Sequence, residues 1–370
     1  MIFLIIMQVL SVAFFTIADK QAKKEKSYRI WIYFSVLMLL IPAAIRNESV
    51  GTDVSVYQKP IFDRALRSPD YSSFLLNIAI YNVEMLYATL IFFVSKISSS
   101  IQILFLCQEV FVLVPVYIAL WKIRKHINVD IAFLSYVFLY YIESYNTVRQ
   151  NIAMSFVFLA VCMIVWEKSH RGIVFAILAI GFHRSAIVGI VIILLYWFLK
   201  KTNLHNSKIL RLIIFIVVVF VSENYLLIFK FVVRVLPFLP ERYLGYYYLY
   251  IDKNNVSVIR LLLEILILII LFVIERRNNF NSIQICWLST LNLITIGMTH
   301  MASSTIFAAR ILWYLMLFEV LDLSLCVEIV KKRTINYFLY KEILLTFLIL
   351  YWIYIYAVLR VSNILPYRIM

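Results

Sequence analysis

Apolar runs long enough to cross a bilayer recur along this chain, punctuated by short knots of basic residues. That alternation leaves few folds open. In hydrocarbon every backbone N–H and C=O must be satisfied internally, so a spanning segment is either a helix or a strand of a closed barrel. The alternating segments of about ten residues that mark a barrel do not dominate here. Hydrophobic residues make up 64% of the 370 and mean hydropathy is +0.92, against about 45–50% apolar in soluble domains. The expected fold is all-α: a polytopic integral membrane helical bundle of about twelve transmembrane helices, forming one domain over residues 1–370. No soluble domain, flexible linker, low-complexity tail or internal repeat is evident.

A net charge of +15 would suit a nucleic-acid ligand, but its distribution does not. Lys20, Lys23, Lys24, Lys26 and Arg29 sit between the first two apolar runs. Lys122, Arg124 and Lys125 form a second knot, followed by Lys168 with Arg171, Lys200 with Lys201, Arg276 with Arg277, and Lys331 to Arg333. Each lies at the end of an apolar run, as the positive-inside rule expects of cytoplasmic loops. Met1 to Ile17 lacks a basic leader and carries its positive charges afterwards, so it is expected to be a retained span with its start outside. Cys107, Cys162, Cys286 and Cys326 are scattered in or beside apolar runs, without metal-ligand spacing, and read as packing thiols.

Propagating this orientation places the Arg46 to Tyr81 segment outside, with mixed charge from Asp53, Asp63, Arg64, Arg67 and Asp70. Residues 229–257 form the second long external segment. Glu84 to Lys96 breaks the parity if it spans, and is either re-entrant or interfacial. Gly172 to Lys200 has basic residues at both ends and a break at Gly181-Phe182-His183-Arg184-Ser185, so two short helices are expected to turn at His183 on the outer side. Ile343 to Val358 leads to an external tail.

The same topology collects Arg46, Asp53, Arg149, Gln150, His183, Arg184 and Arg310 at external helix ends. An arginine at the bilayer centre costs about 2.5–3.5 kcal/mol on insertion scales, and the positive-inside rule disfavours it outside. Any one of these is equally well a snorkelling arginine or an interhelical ion pair. Several together point to an anionic ligand. Arg149 is the strongest candidate, because it enters a helix whose N-terminal N–H groups and dipole already favour an anion, with Gln150 as a further donor. The bland alternative pairs it with Glu143. The run Glu241 to Tyr250 is rich in tyrosine, which suits either stacking on sugar rings or an interfacial aromatic belt. His126, His170, His205 and His300 are dispersed, no carboxylate cluster marks a divalent-ion site, and chemistry without a metal or cofactor is expected.

Ala44-Ile45-Arg46, then Gly51-Thr52-Asp53, Tyr57 and Phe62, resemble the opening signature of the EpsG family, Wzy-like polysaccharide polymerases of bacterial capsule, O-antigen and exopolysaccharide pathways. The order continues with Glu84, with Val148-Arg149-Gln150-Asn151-Ile152-Ala153, with Phe182-His183-Arg184-Ser185-Ala186, and with Arg310 and Tyr314. The proline that often follows the glutamate in such proteins is Met85 here. The resemblance covers about residues 1–330.

It implies a glycosyltransferase at the outer face of the bacterial inner membrane, with external loops forming a catalytic cavity in a GT-C-like or related bundle. The growing glycan would pass from undecaprenyl pyrophosphate to the non-reducing end of a fresh lipid-linked repeat unit. Implied partners are that lipid-linked oligosaccharide, membrane lipid, and a chain-length regulator and flippase of the same pathway, with no nucleic acid. His183, Asp53 and Arg149 are then the catalytic candidates, and Arg46, Tyr57, Glu84, Gln150, Arg310 and Tyr314 the substrate-binding ones. Guanidinium groups suit a pyrophosphate leaving group. His183 has the unperturbed pKa of a proton acceptor, with Asp53 ranked close beside it. Two rivals stand. A lipid-linked oligosaccharide flippase or transporter should show mid-membrane charges, related halves or Gly/Pro-broken helices, yet the chain has only 6 Gly and 7 Pro. A ligase that moves finished glycan to another lipid shares most of the physics, and an acceptor assay separates it.

Overall fold

A computed structural model describes residues 1–202, 207–224, 227–228, 231, 258–277, 283–304, 306–332 and 337–370. Among these the chain is helical, with no β-strand beyond one bridge between Arg46 and Ile369. The aromatic run Glu241 to Tyr250 and the rest of 232–257 lie outside the described residues. The chain divides into two compact units, Met1–Ile187 with Val330–Met370, and Val188–Ile329.

The first unit holds α1 (Ile2–Lys23), α2 (Arg29–Ile45), α3 (Lys59–Arg67), α4 (Tyr71–Ile78), α5 (Met85–Ile97), α6 (Ile101–Ile123), α7 (Val129–Leu139), α8 (Val148–Val165) and α9 (Gly172–Phe182). The second holds nearly all of α10 (Ile187–Thr202), α11 (Lys208–Glu223), α12 (Val258–Arg277), α13 (Ile283–Ser304), α14 (Ile306–Met316) and nearly all of α15 (Glu319–Lys332). The chain then returns to the first unit with α16 (Tyr337–Ile353).

Five described helical segments are long and apolar enough to cross a membrane: Ile2–Lys23, Ile101–Ile123, Val148–Val165, Arg184–Thr202 and Tyr337–Val358. Six shorter apolar helices accompany them. The expected count of about twelve spans, several of them short, is not reached among the described residues, where several apolar runs break early. α7 stops at Leu139, and α9 stops at the expected break before His183. At 13 residues, α5 is about 20 Å long, short of the roughly 30 Å hydrocarbon core. That length fits the re-entrant or interfacial alternative for this segment.

Burial identifies the centre of the first unit. Every residue of α7 is buried, and α8 is buried at every position except Arg149. A helix that is apolar all round belongs in a core, so its one partly open side chain marks where that core meets something polar. α8 packs against α6 and α9, and α1 packs against α2 and α7. Hydroxyls bind the helices where lipid-like packing gives little preference: Ser35 and Tyr117 share a hydrogen bond of 2.7 Å, and Ser11 Oγ donates to the Ser35 carbonyl at 2.8 Å.

The segment from Arg46 to Tyr81 is itself largely helical. A π-turn over Val54–Gln58 leads into α3, whose first turn carries Pro60. Asp70 caps α4 by accepting from the Ser73 N–H at 2.9 Å. The expected tail also has structure. It folds back on the end of α2: Asn47 N–H donates to the Arg368 carbonyl at 2.8 Å, Met370 N–H to the Ile45 carbonyl at 3.2 Å, and the Tyr367 hydroxyl to the Pro42 carbonyl.

In the second unit, Trp287 Nε1 donates to the Ile192 carbonyl at 3.3 Å and its ring meets Tyr196 and Phe318 edge-on. Glu264, on α12, accepts from Thr299 Oγ1 on α13 at 3.2 Å.

Candidate functional site

Glu84 joins three stretches of the first unit that the sequence keeps far apart. It precedes α5, and its Oε2 accepts from Arg149 at 3.0 Å while its Oε1 accepts from the Arg184 backbone N–H at 3.2 Å. Arg184 also donates from its guanidinium to Asn82 Oδ1 at 3.1 Å. Asn82 adopts the left-handed conformation (φ +46), which asparagine tolerates better than most residues. The partner of Arg149 is thus Glu84, and the expected alternative pair with Glu143 does not form. The Arg149 guanidinium also lies over the rings of Tyr57, at 5.3 Å, and Tyr87, at 5.8 Å. One of its five N–H groups bonds the carboxylate, so the planar fork retains donors for an anion at the mouth of α8.

Tyr87 marks where the site reaches the core. Its hydroxyl accepts from Gln108 Nε2 at 2.9 Å and feels the charges of Arg149, Asp53 and Arg46. Arg46, Asp53, Tyr57, Glu84 and Arg149, spread over about a hundred residues of sequence, therefore share one neighbourhood.

The Gly51-Thr52-Asp53 turn is docked on the turn before α8. Thr52 Oγ1 and the Asp53 N–H both donate to Asn146 Oδ1, at 2.8 and 2.9 Å. Gly51 makes this approach feasible. Its φ is +91°, and a Cβ there would stand 2.4 Å from the Tyr145 carbonyl oxygen. Only a residue without a side chain fits both conditions.

Arg46 is fully enclosed. Its guanidinium is sandwiched between the rings of Phe105 and Tyr145, at 4.3 and 4.4 Å, and stands 3.9 Å from Glu109 Oε2. None of its three guanidinium nitrogens has a hydrogen-bond partner. It forms part of the wall behind the site, and contact with a ligand would require this packing to open. Glu109 itself accepts from Ser144 Oγ at 2.8 Å.

His183 caps the short turn after α9. Its Nδ1 accepts from the Ser185 N–H at 3.2 Å and lies 2.8 Å from Ser185 Oγ. A backbone N–H can only donate, so the neutral ring carries its proton on Nε2. To act as a base through Nδ1, the ring must first give up the Ser185 contact; through Nε2 it is a donor. Gln150 is buried on α8, beside Arg149. Arg310, half-buried, and Tyr314, fully buried, lie on α14 in the second unit. Among the described residues no group of three or more His, Cys, Asp or Glu side chains is arranged to hold a metal ion.

Sequence reasoning missed two acidic residues as site components. Glu109 is the only acidic residue in the 23-residue α6, and a carboxylate well inside a span is a functional signal by itself. Glu143, weighed only as a partner for Arg149, is buried in the turn between α7 and α8, outside either span. Its neighbours are Ser362 Oγ and Asn146 Nδ2 on Oε1, and the Tyr356 hydroxyl on Oε2. Burial, which disfavours the charged form, raises its pKa to about 7 against the three hydrogen bonds.

No curated protein and no solved structure matches the chain. The model of the EpsG family matches residues 29–369, nearly the whole length and including the returning tail. The chain is a membrane protein of the EpsG family, a family of Wzy-like polysaccharide polymerases.

Proposed function

We propose that this protein polymerises a lipid-linked glycan repeat unit at the outer face of the bacterial inner membrane, using the undecaprenyl-pyrophosphate-linked chain as donor. The family match over residues 29–369 carries this reading. The position of Arg149 supports it: the one partly open residue of a buried helix, in that helix's first turn, held by a single bond to Glu84.

In the proposed step, a hydroxyl at the non-reducing end of the incoming unit attacks the anomeric carbon of the growing chain. A C–O bond forms to the acceptor, and the bond from the anomeric carbon to the pyrophosphate oxygen breaks. The leaving group keeps the electron pair, and the acceptor's proton passes to the protein. Arg149 would neutralise the charge that develops on the pyrophosphate, where each charge-assisted hydrogen bond contributes about 1.5–3 kcal/mol. Asp53 would take the proton, because Nδ1 of His183 already accepts from Ser185. His183 would instead donate from Nε2, and Arg310 with Tyr314 are further substrate-binding candidates from the second unit.

Incubating the purified protein with lipid-linked repeat unit, isolated from a host strain deleted for this protein, tests the reading. A ladder of longer lipid-linked glycans without added nucleotide sugar is expected. Transfer only to a different lipid acceptor would establish a ligase, and no product of either kind would reject glycan transfer.

A further inference from the structure

Glu143 costs more than a turn requires. It is 4% exposed, its hydrogen-bond partners are all neutral, and no basic side chain pairs with it among the described residues. The charge of Asp53, which acts on it, has the same sign. A buried carboxylate without a cation is destabilising, and a glutamine would fill the same space at lower cost.

What the carboxylate does is orient Asn146, which is 7% exposed and uses both ends of its amide. Asn146 Nδ2 donates to Glu143 Oε1 at 3.5 Å, and Oδ1 receives Thr52 Oγ1 and the Asp53 N–H. An ionised carboxylate only accepts, so it selects the amide orientation that leaves Oδ1 toward Asp53. Glu143 is clamped in turn by Ser362 and Tyr356 from the returning end of the chain, and Gly51 N–H reaches the Asn363 carbonyl at 3.4 Å.

We propose that Glu143 and Asn146 are a positioning pair that fixes Asp53, and that the returning segment at Tyr356 and Ser362 belongs to the site by holding that pair. The inference rests on the reading of Asp53 as proton acceptor.

The pair is tested by reversing its polarity. Asn146→Asp keeps an acceptor for Thr52 and Asp53 but turns a second carboxylate oxygen toward Glu143. With the lipid-linked repeat unit as substrate at about pH 8, kcat is expected to fall at least about tenfold while KM stays within about twofold. Hydrogen exchange of the 52–54 amides should accelerate about tenfold or more. Adding Glu143→Gln supplies an N–H that donates to the new carboxylate, so the double variant should recover to within about threefold of wild type in both readouts. A pair that served stability alone would lower the melting temperature and leave the kcat of the folded protein in place. Wild-type kcat and exchange in Asn146→Asp, or a double variant as impaired as the single one, would overturn the positioning pair. Should the wild-type protein form no glycan ladder, the polymerase reading falls, and the exchange measurement decides the pair alone.

Discussion

Replacing Gly51 with alanine attacks the site at its narrowest backbone contact. The new Cβ would meet the Tyr145 carbonyl oxygen at 2.4 Å and its carbon at 3.1 Å, at a φ of +91°. The left-handed conformation costs a non-glycine residue about 1–2 kcal/mol. Overpacking against backbone that cannot swing aside adds about 1–3 kcal/mol. Lifting the turn is no cheaper. It surrenders two hydrogen bonds to Asn146 Oδ1, about 1 kcal/mol each, and opens the fully buried Val50 and Val54. A loss of about 2–5 kcal/mol follows by either route. Gly181→Ala is the control. Its Cβ would also be crowded, but by the flexible Leu86 side chain, whose Cδ1 and Cγ stand at 2.5 and 2.7 Å, and its φ is not left-handed. Alanine inside a helix also recovers about 0.5–1 kcal/mol of conformational entropy. Thermal unfolding of the detergent-solubilised protein can be followed with a thiol-reactive dye, since Cys162, Cys286 and Cys326 are free and buried. Gly51→Ala should melt well below wild type and Gly181→Ala close to it. Equal melting temperatures for the two variants would refute the backbone argument.

Other outcomes follow from the same geometry. Arg149→Lys keeps the charge and the attraction to Glu84 but loses the planar fork, so polymerisation should fall at least about tenfold, or about 1.4 kcal/mol in the barrier, at normal expression. Wild-type chain lengths in that variant would shift the phosphate role to Arg310. The pKa of Glu143 is raised from 4.5 to about 7, so the folded state holds this proton more tightly than the unfolded one. Stability attributable to it is therefore greatest below pH 4.5, declines as pH rises toward about 7 and is flat above. Glu143→Gln should remove that decline, gaining about 3 kcal/mol relative to wild type between pH 4.5 and 7.5, as read by melting temperature across pH. A constant difference across that range would contradict it. Ser49→Cys should react with an impermeant thiol reagent on intact cells and Lys24→Cys should not, the reverse pattern overturning the orientation.

Much of this architecture can be read from local pattern. Unbroken apolar runs become helices, and a polar cluster inside one, Phe182 to Ser185, ends α9 where expected. The Gly51-Thr52-Asp53 stretch also announces itself, because a glycine followed by polar residues at a helix mouth suits a tight turn. Partner choice is a different matter. Glu84 and Arg149 are 65 residues apart and Glu143 and Ser362 are 219 apart, and nothing local in either pair specifies the other. Arg46 shows the limit most clearly: a charge at a helix end looks like a ligand contact, yet the rings of Phe105 and Tyr145 close over it. The tautomer of His183 depends on a backbone N–H two residues on, which its composition does not reveal.

In the proposed reaction each linkage is made at the expense of a lipid pyrophosphate. Its most direct measurement counts undecaprenyl pyrophosphate released against glycosidic linkages formed, with the purified protein and the lipid-linked repeat unit as sole substrate. One carrier released per linkage is expected throughout the reaction, with both slowed to the same extent in Arg149→Lys. Linkages formed without carrier release, or carrier released without chain growth, would contradict it.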